Sequence, residues 1–231
     1  MVEQDRREFL KQLASVTGSV VLLPVVTACD GGGKGKGGKS PASKPAKSGG
    51  AEMIKVSPTK PEGWDPVAWN KKRGLAGAIP ESYHASITGK DGDKKHLGKH
   101  LPYIPKLEAK LVPAGFIALM WGDPDKGYAM HPNAPKTKDN PDGHWYNWIK
   151  VRKAVKGEAK ELQSTYTNWP EVGEDSTGKY VTPDGKPVTE NGGRNTVYLA
   201  ALPKDVKKGD TIRIWAHCLT HGEYVDYIKV T

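Results

Sequence analysis

An antiparallel β-sandwich of immunoglobulin type is the fold this sequence predicts, on three observations. Apolar residues alternate over short runs rich in β-branched and aromatic side chains. Turn-forming clusters separate the runs, among them Pro-Asp-Gly at 183–185, Asn-Gly-Gly at 191–193 and Lys-Gly-Asp at 208–210. Little of the chain carries a helical period, so an all-β class with about seven short strands follows.

Taken in order, the expected strands are Lys106–Val112, Gly115–Trp121, Tyr146–Lys153, Gln163–Asn168, Asn195–Leu202, Thr211–Ala216 and Glu223–Val230. Two long loops interrupt them, His131–Gly143 and Trp169–Arg194. No internal repeat and no phosphate-cradling Gly-rich loop is present. The expected domain spans 62–231, long enough for one core.

Ahead of it, residues 1–28 read as an export signal. Arg6-Arg7-Glu8-Phe9-Leu10-Lys11 resembles a twin-arginine motif, and the apolar stretch from Leu13 to Ala28 is broken by Gly18 and Pro24, unlike a membrane-spanning helix. Val26-Thr27-Ala28-Cys29 resembles a lipobox that makes Cys29 the lipidated first residue of the mature chain. Residues 29–61 read as a flexible tether, rich in Gly, Ser, Pro, Ala and Lys, that holds the domain off a membrane. The expected location is the periplasmic or extracytoplasmic face, reached in the folded state.

Formal net charge is +9, from 35 basic and 26 acidic residues. The signal segment is neutral, and five lysines against Asp30 give residues 30–50 a surplus of four, which leaves +5 on the rest. Such a modest, interleaved charge is not a nucleic-acid footprint, and no nucleic-acid partner is expected. A mild positive field does suit a small anionic substrate.

Only one cysteine remains for the domain, Cys218, three residues before His221. With Cys29 at the lipidation point, it has no disulfide partner, and an unpaired thiol in an exported protein calls for another role. A metal–thiolate bond is one, since a Cys and a His three apart at a strand-to-turn junction can aim both donors at one ion. Upstream stand His100 in Gly-Lys-His-Leu-Pro-Tyr-Ile, His131 in Met-His-Pro-Asn, and His144 in Gly-His-Trp-Tyr-Asn-Trp-Ile, the last two flanking one loop. His96 is the obvious substitute for His100. His217 should point away from Cys218 on its strand, and His84 looks incidental.

Lys99-His100-Leu101-Pro102-Tyr103-Ile104, His131-Pro132-Asn133, His144 with its aromatic strand, and Cys218-Leu219-Thr220-His221-Gly222 resemble superoxide reductase, the neelaredoxin or desulfoferrodoxin iron-binding family. The resemblance runs from about His96 to the C-terminus and lacks the rubredoxin-like domain of desulfoferrodoxin. It implies one mononuclear non-haem iron held by His100, His131, His144 and His221, with Cys218 as axial thiolate. It implies reduction of superoxide to hydrogen peroxide, with Lys99 beside the incoming anion. It also implies an electron donor; rubredoxin is usual in the family, but an exported chain needs another source, such as a cytochrome. One departure stands out. The family's glutamate, which caps the oxidised iron, is Gly98 here.

Two other classes compete. An exported copper electron carrier also places Cys and His in a C-terminal loop, but no methionine follows His221. A metal-free immunoglobulin-like binding module explains the strands and the tether, but not Cys218 and its histidines. A Cys–His hydrolase is disfavoured because no helix is expected after Cys218. Trp145, Trp148 and Trp215 are expected as core or as a shell around the metal.

Overall fold

A computed structural model describes residues 54–231; the segment expected as an export signal and the first part of the one expected as a tether lie outside the described residues. The described chain is an all-β sandwich of two four-stranded antiparallel sheets with short helices. One sheet orders β1 (Pro102–Tyr103), β2 (Phe116–Trp121), β6 (Val197–Ala201) and β5 (Lys179–Val181) as β1-β2-β6-β5. The other orders β4 (Glu161–Thr165), β3 (Tyr146–Lys153), β7 (Thr211–Cys218) and β8 (Gly222–Lys229) as β4-β3-β7-β8.

Period-2 alternation builds the core between them. Ile117, Leu119 and Trp121 of β2 and Tyr198 and Ala200 of β6 meet Ile212, Ile214, Ala216 and Cys218 of β7. On β3 the buried residues are Tyr146, Ile149 and Val151, and the odd spacing of the first two is made possible by an irregularity in the β3–β7 register between Tyr146 and Trp148. A bulge of this kind adds one residue and restores the phase. Tyr146 therefore faces inward at the end of the strand where the histidines gather.

Six of the seven expected strands are present: Tyr146–Lys153 has the expected ends, four others have shifted ends, and Gln163–Asn168 is centred earlier, at Glu161–Thr165. Lys106–Val112 is not a strand. It is bracketed by Pro105 and Pro113 and turns at 109–111, where Leu111 N and Val112 N bond back to the carbonyls of Glu108 and Ala109. Its alternation still serves packing, since Leu107 and Val112 cover the outer face of β2 and β6. Two strands were not expected, β1 and the three-residue β5 inside the 169–194 loop.

Two eight-residue helices precede the sheets, α1 (Pro66–Arg73) and α2 (Glu81–Thr88). Asp65 caps α1, its Oδ1 accepting from Val67 N at 2.8 Å and Ala68 N at 3.1 Å, and Pro66 occupies the first helical position. Fully buried Asn70 then donates to Val225 O and accepts from Val225 N, at 2.8 and 2.9 Å. It replaces a neighbouring strand at the open edge of β8. Closer to the N-terminus, Val56 and Ser57, within the stretch expected as tether, lend carbonyls to Arg213, and Ser57 O also accepts from Tyr227 Oη.

Candidate metal centre

The site forms where four chain segments are tied together at one end of the sandwich. His100 ends a short helical turn, Gly98–His100, and the next residue, Leu101, accepts at its carbonyl from Gly122 N, just past the end of β2. His131 N donates to Trp121 O at 3.0 Å, which sets that histidine beside the same strand end. The loop from 131 to 143 closes on itself, because Ala134 and His144 exchange two backbone bonds of 2.9 and 2.8 Å. Cys218 is the last residue of β7 and pairs with Gly222 across the β7–β8 turn. That turn is tied to the His144 segment by Leu219 N bonding Trp145 O and Thr220 Oγ1 bonding Gly143 O, at 3.1 and 2.8 Å.

All five expected donors come together. His144 Nε2 lies 3.0 Å from His221 Nδ1, and Cys218 Sγ lies 3.6 Å from His131 Nε2 and 3.8 Å from His221 Nδ1. Two triads share the sulfur, His100–Cys218–His221 and His131–His144–Cys218, and within each the donor atoms lie within 4.8 Å of one another. The imidazoles form a ring of four: centroids are 4.4 Å apart for His131–His144, 4.7 Å for His144–His221, 5.0 Å for His221–His100 and 4.9 Å for His100–His131. His100 and His144 sit across it at 6.4 Å.

Electrostatics make this a poor place for protons and a good one for a cation. Burial, then mutual repulsion, pushes His100 and His131 well below the usual histidine range. Burial and the Lys99 charge bring His144 down to about 4. His221 falls to about 3 through burial and the charges of His144, Lys99 and His96. Cys218 is pushed up to about 12 by burial, against the pull of the Thr220 and His221 backbone N–H groups and of Lys99. Four neutral imidazoles and a buried thiol held protonated by desolvation are donors that a divalent ion would engage. His100 supplies a further sign of fit. Its Nδ1 is 2.9 Å from Tyr146 Oη, whereas its Nε2 is buried without a hydrogen-bond partner. A metal with a preference for imidazole and thiolate would take that nitrogen, and residues 100, 131, 144, 218 and 221 are the ones that could hold it.

Lys99 is half-buried beside the ring, its charge acting on all four imidazoles, and its own pKa is lowered by burial. His96 falls in neither donor triad. His217 lies on the other side of β7 from Cys218, stacked on Trp148 with Nδ1 2.6 Å from Asn147 Oδ1. At Gly98 there is no room for a side chain: a methyl group would sit 2.3 Å from Tyr128 Cδ1 and 2.7 Å from Asp93 O.

Several residues that shape the site were not singled out from the sequence. Tyr146 reaches His100, and its backbone N donates to Tyr198 Oη, which donates in turn to Asn133 Oδ1 at 2.5 Å. Tyr224 stacks on His100 with centroids 4.3 Å apart. The nearest signal was position: Tyr146 lies two residues after His144, and Asn133 two after His131.

No protein-family model matches this chain, and no curated protein matches it. Among solved structures, a superoxide reductase (neelaredoxin) from Archaeoglobus fulgidus, a variant in its reduced form, matches at 19% identity. The match covers 58% of this chain and 90% of that chain with a TM-score of 0.31. A likeness that slight carries no argument, and the chemistry of the centre stands on its donors.

Proposed function

We propose that this chain is an exported superoxide reductase that converts superoxide to hydrogen peroxide at a mononuclear iron centre. The observation that carries the reading is the convergence of four neutral imidazoles and one buried thiol, with an ammonium beside them. The motifs at 99–104, 131–133, 144–149 and 218–222 support it, as does the one unpartnered nitrogen, Nε2, left on His100 once Tyr146 engages Nδ1. A copper carrier needs fewer imidazoles than converge here.

Ferrous iron, when bound, supplies the single electron that superoxide lacks. Each turnover consumes one superoxide, one electron and two protons and yields one hydrogen peroxide; a separate carrier, such as a cytochrome or a rubredoxin-like protein, returns the electron. The chain's own residues supply the rest. Lys99 provides positive charge that draws in the anion, and a donor N–H and proton at Nζ. Tyr146 Oη lies where it can accept a hydrogen from His100 Nδ1, which selects the tautomer whose Nε2 is free for the metal. Buried Tyr146, packed against His100 and His131 with Trp121 stacked on it, keeps one side of the centre dry. The reading includes the twin-arginine-type segment 1–28 and a lipid anchor at Cys29, both outside the described residues.

The test is superoxide decay with the iron-loaded full chain and a chemical reductant, with peroxide and oxygen both measured. Reductase activity gives one peroxide per superoxide and no oxygen, and Lys99→Ala slows it roughly ten-fold or more. Decay no faster than with metal-free protein would end the proposal.

A further inference from the structure

The five donors all lie at residue 100 or beyond, yet the ring packed flat on His221 comes from the helical layer that precedes the sheets. Tyr83 of α2 stacks on His221 with centroids 3.8 Å apart and planes inclined by 26°. The same ring stands edge-on to His100, at 5.8 Å, and carries Lys99 Nζ over it at 5.3 Å. Its hydroxyl donates to His96 O at 3.2 Å, so its far end is pinned as well. Behind it, Ile79, Ile87, Leu97, Leu101 and Tyr224 form a buried apolar cluster that leaves the ring little freedom.

The approach of this layer to the β7–β8 turn is tight. Gly222, next to His221, has φ +82°, and a methyl group there would lie 2.3 Å from Ala78 O and 3.0 Å from Ile79 Cα. The chain leading into α2 is thus laid backbone-to-backbone on the turn that carries His221.

That geometry answers a need of the centre. The Cβ–ring torsion of histidine is broad and gives a ligand nitrogen little orientation by itself. His221 presents Nδ1, the nitrogen nearer its backbone, to Cys218 Sγ and His144 Nε2. A modest ring rotation would carry it out of the cluster. Lys99 has four rotatable side-chain bonds and no ion-pair partner among the described residues. The negative face of an aromatic ring can hold its ammonium without neutralising it, as a carboxylate would.

We infer that Tyr83 is a positioning residue of the centre, its ring fixing the plane of His221 and seating the Lys99 ammonium. The helical layer is therefore part of the site rather than a preface to it. The inference rests on the superoxide reductase reading.

The experiment compares the iron-loaded full chain with Tyr83→Phe and Tyr83→Leu. Iron affinity, the ferric electron paramagnetic resonance line shape, and the superoxide rate with its ionic-strength dependence are measured on each. Tyr83→Phe keeps the ring face and should match wild type in all of these. Tyr83→Leu should bind iron about ten-fold more weakly, with a changed line shape and a slower rate that depends less on salt. Should the leucine variant not fold, pentafluorophenylalanine at position 83 keeps the shape while reversing the charge of the ring face, and should lower the rate and its salt dependence at unchanged iron content. A wild-type line shape and rate in the leucine variant, or in the fluorinated one if leucine does not fold, would overturn the inference while leaving the reductase reading standing. A wild-type chain that binds no iron would overturn the reading itself and this inference with it.

Discussion

His100 Nδ1 lies 2.9 Å from the buried hydroxyl of Tyr146, which leaves Nε2 as the one nitrogen of that ring able to take a metal. Partners that orient ligating imidazoles are commonly worth 10- to 100-fold in metal affinity. Tyr146→Phe should therefore fold as wild type and bind iron roughly 10- to 100-fold more weakly. Competition titration against a chelator checks this, with thermal unfolding as the control for the core.

Metal binding should release about one proton per chain across neutral pH. The four histidines are already neutral there, two of them down to about 4 and about 3, whereas burial holds the Cys218 thiol protonated up to about 12. Affinity should thus rise about ten-fold per pH unit between pH 6 and 9, through the thiol alone. Calorimetry in buffers of different ionisation enthalpy measures the number. Cys218→Ala should abolish the release.

Gly98 stands where the family resemblance places a glutamate, and Tyr128 fills the space a side chain would need. Gly98→Ala should cost about 1–3 kcal/mol, as overpacking of a tight contact does. Gly98→Glu should be at least as costly. Chemical denaturation of the metal-free variants reads both, and Tyr128→Ala in the same chain should relieve part of the loss.

Asp226 is buried, its Oδ1 accepting from Trp64 Nε1 and Tyr227 N at 2.7 Å each, and burial raises its pKa above 3.8. The folded state therefore binds this proton more tightly than the unfolded chain. Its contribution is fully present below the unfolded value and is lost as pH rises through the raised folded value. Asp226→Asn should remove that loss, so the variant gains on wild type from pH 4 towards neutrality. Paired unfolding curves across that range test the sign.

Much of this was legible in the sequence, for reasons particular to its residues. Tyr146–Lys153 reads as a strand and is one, because its alternation is long and polar loops flank it. The donors stood out because a single thiol and grouped imidazoles are rare residue types at recognisable spacing. Helix α1 was silent because its buried positions are not apolar ones: it buries Asn70 and Arg73, which pair with Val225 and Glu223. Lys106–Val112 has the right alternation, but prolines at both ends and a local turn withdraw it from the ladder. Tyr83 could not be read at all, since what makes it relevant, His221 and Lys99, reaches it only through the fold.

The most direct test of the central claim is electron paramagnetic resonance of the oxidised, folded chain, with metal content from the same sample. A high-spin ferric signal at about one iron per chain, lost in Cys218→Ala, is the result expected of a four-imidazole, one-thiolate centre. A copper signal with hyperfine splitting, or folded protein that holds no metal, would contradict it.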